Sequence, residues 1–173
     1  MNYFELFEMP VSLIVYQKDL SSKYFELQKK FHPDFFTNAD EEDKTKALEQ
    51  SSVINSAYKT FKDPDATINY VLGLKGLIAD DEKYDLPPDF LMEMMELNES
   101  LSDEDVLPAE EAKTKIAQLD QELYKEVQSI IEGYDEERTT EAQMLLVKEY
   151  YYKRKYLNRI LERLERMGNV ASP

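Results

Sequence analysis

Residues 18–34 read KDLSSKYFELQKKFHPD, and this stretch decides which fold the sequence predicts. Its apolar side chains recur at every third or fourth position, which is the spacing of one face of an α-helix. They are Leu20, Tyr24, Leu27 and Phe31. We expect Asp19 or Ser21 to cap the N-terminus of this helix. Pro33 ends the helix, because proline lacks a backbone donor and disfavours helical geometry at the residue before it.

A second long helix is predicted to follow this stretch. It begins in the acidic run at residues 40–43, because acidic side chains favour a helix N-terminus, and it ends at Asp63 and Pro64. Its apolar positions are Leu48, Ile54, Ala57, Tyr58 and Phe61. We expect a loop near Pro33 to make the two helices antiparallel. The aromatic start at residues 3–7 and a shorter helix at residues 66–74 would pack against them.

Residues 73–88, GLKGLIADDEKYDLPP, divide the sequence into two parts. Their glycines, acidic cluster and paired prolines indicate a linker or a tightly packed hinge. Beyond them, the apolar periodicity predicts helices at about residues 89–101, 108–131 and 136–167, the last with Leu146 on its buried seam. Short connections indicate an antiparallel three-helix bundle. The sequence therefore predicts an all-α protein with a first domain at residues 1–75, a linker at 76–87 and a bundle at 88–173.

The composition excludes several classes of chemistry. The 173 residues include no cysteine, so a disulfide, a thiolate metal site and a cysteine nucleophile are impossible. His32 is the single histidine, which rules out a catalytic triad or a histidine-ligated metal centre within one chain. The 4 glycines never form a phosphate-binding pattern. We therefore expect no catalytic residue, no metal site and no cofactor, and we expect that the protein is not an enzyme.

The net charge of the chain further restricts its possible partners. With 21 basic and 36 acidic residues the formal charge is −15, which disfavours nucleic acid as a partner. The sequence has no secretion signal and no uninterrupted apolar run of about eighteen residues, so we expect a cytoplasmic protein without a membrane span. Residues 76–112 carry 13 acidic side chains and 1 basic one. A partner of this region is therefore expected to offer positive charge.

A polar corner closes the opening stretch at residues 29–34, KKFHPD. The proline presents His32 and Asp34 at a rigid junction between helix and loop. The helix before it is locally basic, which suits docking on an acidic partner. An ordinary helix-ending turn with solvated lysines would have the same sequence. The three residues His-Pro-Asp alone therefore do not distinguish a docking site from such a turn.

The surrounding sequence favours the docking interpretation. A helical pair with HPD in its connecting loop, an aromatic YFELF at residues 3–7 and NSAY at residues 55–58 resemble the J domain of DnaJ-type co-chaperones. J domains stimulate ATP hydrolysis by DnaK-type chaperones. The resemblance implies that His32, Pro33 and Asp34 form the activating tip, and that Lys29 and Lys30 belong to a basic docking face.

A second segment, FLMEMMEL at residues 90–97, is too apolar for one amphipathic face. The spacing makes one set of side chains a core stripe, namely Phe90, Met94, Leu97 and Leu101. A neighbouring face then carries Leu91, Met92 and Met95 and continues into Glu96, Glu99 and Asp103. This face is either an exposed interaction patch with an acidic margin or one side of a helix that is buried on two sides.

The segment resembles FLMEQLEL-type sequences of the HscB family, the J-domain co-chaperones of iron–sulfur cluster assembly, and the layout of the whole chain does as well. In that family the bundle holds the scaffold protein IscU and delivers it to the DnaK-type chaperone HscA. By motif position, the resemblance implies a scaffold-binding face formed by Leu91, Met92, Met95, Glu96, Glu99 and Asp103. Family members usually carry an aromatic side chain nearby on the last helix, and Tyr150, Tyr151 and Tyr152 are all candidates.

The leading interpretation is an adaptor that binds an IscU-type scaffold through its bundle and stimulates the ATPase of a DnaK/HscA-type chaperone through HPD. Two alternatives stay open. One is a general J-domain co-chaperone for unfolded clients, although the sequence lacks the Gly/Phe-rich segment and the zinc repeats that many such proteins carry. The other is an acidic helical regulatory or structural subunit in which HPD is incidental.

Overall fold

A computed structural model of the chain describes residues 1–102 and 109–170. Within these residues the regular secondary structure is helical and no β-strand is present. The helices are α1 Tyr3–Leu6, α2 Gln17–Phe31, a 3₁₀ helix Pro33–Phe36, α3 Glu41–Lys62, α4 Pro64–Leu74, α5 Pro88–Ser102, α6 Ala109–Glu132 and α7 Glu141–Val170. None of the helices in the described ranges is both long enough and apolar enough to cross a membrane.

The chain forms two compact units. The first contains Met1–Lys75 together with Tyr134–Arg138. The second contains Gly76–Gly133 and the chain from Thr139 onward. Helices α1 to α4 therefore belong to the first unit and α5 to α7 to the second, so each candidate surface lies within one unit.

Helices α2 and α3 are antiparallel, as their contacts show. The Tyr24 ring stacks on Tyr58 with 4.1 Å between ring centroids. One helical turn later in α2, Gln28 Nε2 donates to Asn55 Oδ1 at 2.9 Å. Rising residue numbers along α2 thus meet falling numbers along α3, which places the connecting Pro33 corner at one end of the pair.

Aromatic rings form the core of the first unit. The Phe61 ring of α3 lies 4.5 Å from the Phe4 ring and 5.7 Å from the Phe7 ring, measured between centroids. Tyr70 of α4 stacks on Tyr3 at 4.5 Å, and its hydroxyl accepts the backbone N–H of Tyr3 at 2.8 Å. Edge-to-face and stacked rings stabilise such a core beyond the burial of their area. The aromatic N-terminus therefore fastens α1 onto α3 and α4.

Two of the predicted helix starts are wrong. Helix α2 begins at Gln17, and its N-cap residue Tyr16 makes no side-chain capping bond, so neither Asp19 nor Ser21 is the cap. Burial of Leu20 in the core holds this first turn without a local cap. Helix α7 begins at Glu141, where Thr140 and Gln143 bond reciprocally, Gln143 N–H to Thr140 Oγ1 at 3.2 Å and Thr140 N–H to Gln143 Oε1 at 2.9 Å.

The start of α3 agrees with the sequence. Asp40 Oδ1 accepts the backbone N–H of Asp43 at 2.9 Å and caps the helix.

The sequence pattern assigned two apolar residues to the wrong helical face, because Leu48 and Leu146 are exposed. Their neighbours Ala47 and Val147 are buried instead. Adjacent helical residues point about 100° apart, so an offset of one position moves a side chain from the core to solvent.

Helices α5, α6 and α7 share one hydrophobic core. The predicted stripe on α5 is confirmed, since all of its members are buried, namely Phe90, Met94, Leu97 and Leu101. They pack with Ala112 and Ile116 of α6 and with Leu157, Ile160 and Leu164 of α7. The stripe therefore orients α5 so that a different set of side chains faces outward.

The segment before α5 is held against α7 by specific contacts. Lys148 Nζ lies 2.8 Å from Glu82 Oε1, and Tyr152 Oη donates to Glu82 Oε2 at 3.0 Å. The Tyr84 ring stacks on Tyr152 with 4.4 Å between centroids and 2° between planes. Leu86 packs against the core. Residues 82–86, expected in the linker or hinge, are thus packed onto the second unit.

Candidate functional site

The His-Pro-Asp sequence forms a fixed corner between α2 and the 3₁₀ helix. His32 has φ −63° and ψ 130°, which is the extended geometry that a following proline favours. Its backbone N–H donates to Gln28 O at 2.9 Å, and its carbonyl accepts the Phe35 N–H at 3.0 Å. The backbone of His32 is therefore tied to both helices, and Pro33 restricts the chain between them.

A hydrogen bond from the backbone of Asp34 orients the His32 side chain at the corner. His32 Nδ1 accepts the backbone N–H of Asp34 at 3.3 Å, so the proton of a neutral imidazole lies on Nε2. The Asp34 carboxylate lies 3.6 Å from Nδ1 and is largely exposed. The corner thus offers a donor from the imidazole and an acidic acceptor from Asp34, both from a nearly rigid backbone.

The basic face of α2 adjoins this corner. Lys29 and Lys30 are exposed in the last turn of the helix. Lys30 Nζ lies 5.2 Å from the centre of the Phe31 ring, within reach of a cation–π interaction. Lys23, by contrast, pairs with Glu8 at 3.3 Å and Glu26 at 3.7 Å. The two cations nearest His32 are therefore available to a partner.

Asn55, within the NSAY sequence, fastens α2 to α3. Its Oδ1 accepts from Tyr24 Oη at 3.0 Å and from Gln28 Nε2 at 2.9 Å. Ala57 of the same sequence is fully buried in the core. The motif that carried the resemblance therefore has a physical role, which is to hold the helix that immediately precedes His32.

The face of α5 beside the buried stripe is open to solvent. Met92 is 62% exposed and Met95 is 59% exposed. Leu91 is half-buried, and Glu96 and Glu99 are exposed. Of the two interpretations of this face, the structure supports an exposed apolar patch with an acidic margin over a helix that is buried on two sides. Asp103, the remaining predicted member, lies outside the described residues.

One of the three consecutive tyrosines lies on the same side as this patch. Tyr152 and Leu91 line a common cleft of about 370 Å³ together with Tyr156 and Arg159. Tyr150 is buried, and its hydroxyl accepts from Arg154 Nη1 at 3.3 Å. Of the three consecutive tyrosines, the structure therefore singles out Tyr152 as the one that lies beside Leu91 of α5. In the described parts of the chain, no group of three or more His, Asp or Glu side chains is placed to hold a metal ion.

Known proteins of one family resemble this chain along most of its length. The family model described as the HSCB C-terminal oligomerisation domain matches residues 86–165. A co-chaperone protein HscB homolog of Shewanella halifaxensis is 39% identical over 150 residues, which are 86% of this chain and 80% of that protein. The chain belongs to the HscB family. The resemblance that the sequence suggested is therefore confirmed.

A solved structure and a second sequence, both of HscB from Vibrio cholerae, extend the comparison. The structure of the chaperone HscB from Vibrio cholerae has a TM-score of 0.78 at 30% identity and covers 99% of this chain and 100% of that one. An HscB homolog from Vibrio cholerae serotype O1 is 47% identical over 102 residues, 58% of this chain and 60% of that protein. This last alignment spans less than two thirds of the relative's length. The shared fold, a J domain followed by a helical bundle, confirms the predicted all-α class.

In this HscB-family chain, the pKa values of Tyr152 and Glu82 depend on each other's ionisation state. Burial, and then the hydrogen bond to Glu82, raise the pKa of Tyr152 to about 12. The hydrogen bond from Lys148 lowers the pKa of Glu82 despite the opposing effect of desolvation. Sequence reasoning missed Glu82 and Lys148, because they are 66 residues apart and no local pattern connects them.

Replacing Tyr152 with phenylalanine is expected to flatten the alkaline dependence of stability. An ordinary tyrosine titrates near pH 10.0, so between pH 10 and about 12 the unfolded chain loses this proton before the folded one does. The free energy of unfolding therefore falls as pH rises through this window, and Tyr152→Phe removes that contribution. Urea unfolding at pH 8 and pH 11 measures the difference.

The matched control is Tyr16→Phe, which alters an exposed tyrosine. It is expected to keep the wild-type pH dependence. The same decline in wild type and Tyr152→Phe would contradict the assignment. At pH 8 the Tyr152 variant also lacks the hydrogen bond to Glu82, so its free energy of unfolding is expected to be lower than that of wild type.

Proposed function

We propose that this chain is a non-enzymatic co-chaperone of iron–sulfur cluster assembly. Its bundle binds an IscU-type scaffold protein, and its J domain stimulates the ATPase of a DnaK/HscA-type chaperone. The ATP chemistry stays on the chaperone. The observation that carries the proposal is the His-Pro-Asp corner, which presents His32 and Asp34 from a fixed backbone in a member of the HscB family.

The chaperone-binding part of the proposal rests on Lys29, Lys30, His32, Pro33 and Asp34. This corner loses little conformational entropy when a partner binds it, because the hydrogen bonds of His32 already hold its geometry. The exposed lysines add a basic approach surface within an acidic chain, which favours encounter with an acidic patch. Fixed polar contacts and electrostatic attraction together support docking on the chaperone.

The scaffold-binding part rests on the outer face of α5. Met92 and Met95 are exposed apolar side chains, and methionine adapts readily to a partner surface. Leu91 continues this patch toward Tyr152, while Glu96 and Glu99 provide an acidic margin. We include Asp103 by motif position alone. A partner with apolar side chains flanked by positive charge fits this face.

Binding both partners at once gives the adaptor its effect. The scaffold is then held near the chaperone at a high effective concentration, and short tethers typically reach the millimolar range. Apparent affinity rises without any new contact between scaffold and chaperone. The J domain supplies the stimulus for hydrolysis at the same moment that the client is presented.

The experiment for the client side is a double substitution, Met92→Ala with Met95→Ala. Both side chains are exposed, so the fold is expected to stay intact while affinity for the purified IscU-type scaffold falls by about tenfold or more, as for central contact residues. Isothermal titration calorimetry measures the affinity. Stimulation of the chaperone's ATPase in the absence of scaffold is expected to stay at the wild-type level.

Leu145→Ala with Leu146→Ala is the matched control, since this pair is also exposed and apolar but lies near the start of α7. It is expected to bind the scaffold within about twofold of wild type. Wild-type affinity in the Met92 and Met95 variant would show that α5 is not the scaffold-binding face. Capture of many unrelated unfolded proteins without the scaffold would favour a general J-domain co-chaperone.

A further inference from the structure

Three arginines on α7 stand out within the acidic chain. Arg159, Arg163 and Arg166 are spaced by four and three residues, so they lie along one helical face. All three are exposed, and none forms an ion pair with a residue in the described parts of the chain. We call this exposed, positively charged face of α7 the arginine ridge.

The arginine ridge borders a cleft of about 380 Å³ in the second unit. The cleft is also lined by Tyr156 and Ile160 of α7 and by Asn98 of α5. A single carboxylate, that of Glu162, lines it beside the three guanidinium groups. The floor is thus partly apolar and the net charge of the lining is positive.

This cleft adjoins the one that contains Leu91. Tyr156 and Arg159 line both clefts, and Tyr156 packs edge-on against Phe90 with 6.1 Å between centroids. A groove therefore runs along α5 and α7 from Leu91 to Arg166. Glu96 and Glu99 lie on α5 and the arginine ridge on α7, so the two helices that flank the groove carry opposite charges.

Guanidinium groups bind carboxylates through paired hydrogen bonds, and a partly apolar floor strengthens such contacts. A polyanion such as nucleic acid or an anionic membrane would be repelled by a chain of net charge −15. An isolated carboxylate within a protein segment avoids most of that repulsion.

We propose that the arginine ridge binds an acidic segment of the client protein, alongside the basic residues that face α5. The client segment then lies in the groove with its basic side chains against the acidic α5 and its acidic side chains against the basic α7. If the segment ran in the opposite direction, like charges would face each other, so the opposite charges of the two helices determine its direction. The inference rests on the proposed client binding at α5 and adds a second, carboxylate-bearing element to what the client must carry.

The test compares charge reversal at two places. Arg159→Glu with Arg163→Glu is expected to weaken binding of the purified IscU-type scaffold by about tenfold or more in calorimetry, because like charges then meet. Arg159→Gln with Arg163→Gln removes the charge and is expected to have a smaller effect. Lys115→Glu with Lys125→Glu makes the same charge change at exposed positions of α6 and is expected to bind within about twofold of wild type.

Each other result would overturn the inference in a distinguishable way. Suppose that the Arg159→Glu, Arg163→Glu variant binds the scaffold as tightly as wild type or more tightly, while the Met92→Ala, Met95→Ala variant binds it weakly. The proposed function would then stand, and the arginine ridge would not bind an acidic segment of the client. Equal weakening by the α6 reversal would show a general charge effect. Wild-type affinity of the Met92→Ala, Met95→Ala variant would contradict client binding at α5, and the inference that rests on it would fail as well. Binding of wild type to duplex DNA or anionic vesicles, abolished by the arginine reversal, would assign the ridge to a polyanion instead.

Discussion

His32→Gln is expected to abolish the stimulation of a DnaK/HscA-type chaperone while the affinity for the IscU-type scaffold stays unchanged. Glutamine keeps a polar side chain but lacks the rigid ring whose Nδ1 accepts the Asp34 N–H. The glutamine side chain has one more rotatable bond than histidine, so the donor that the imidazole presents through Nε2 is no longer held in one direction. We expect stimulation to fall by more than about tenfold, as for a residue at the centre of an interface.

The measurement is phosphate release by the chaperone as the co-chaperone is titrated. Glu49→Gln serves as the control, because Glu49 is exposed on α3 and its replacement also leaves a glutamine in the same unit. It is expected to stimulate like wild type. Full stimulation by His32→Gln would contradict the role proposed for the corner, and calorimetry with the scaffold verifies that the second unit still binds.

Phe61→Ala is expected to cause the largest loss of stability in the first unit. Phe61 is 1% exposed, and its ring meets the rings of Phe4, Phe7, Tyr3 and Tyr70. Truncating a buried phenylalanine removes its transfer free energy and leaves a cavity, which together cost about 3–5 kcal/mol. Much of the stability of a small helical unit would be lost, and α1 would lose its main support on α3.

Urea unfolding followed by circular dichroism measures this loss, and hydrogen exchange of α1 and α3 locates it in the first unit. Phe35→Ala is the matched control, since Phe35 is 69% exposed and is expected to change the free energy of unfolding by less than about 0.5 kcal/mol. Equal effects of the two substitutions would show that Phe61 is not the centre of the core. ATPase stimulation should fall together with the folded fraction in Phe61→Ala.

Much of the fold followed from local patterns. Apolar spacing identified the buried stripe of α5, so its exposed neighbours Met92 and Met95 could be named as well. Asp40 was recognisable as the start of α3 because a capping side chain acts within one turn. Errors appeared where a long-range contact replaced a local signal, as at Tyr16, where a helix begins without a capping side chain.

The sequence by itself determined the corner at His32, because Pro33 acts on the geometry of the residue directly before it and needs no distant partner. Only the tertiary structure decided which tyrosine of the three faces α5. Tyr150, Tyr151 and Tyr152 differ by about 100° in direction around one helix, and the packing of α7 against the core turns Tyr152 toward Leu91. The groove between α5 and the arginine ridge has the same origin, since residues distant in sequence become neighbours when apolar stripes are buried together.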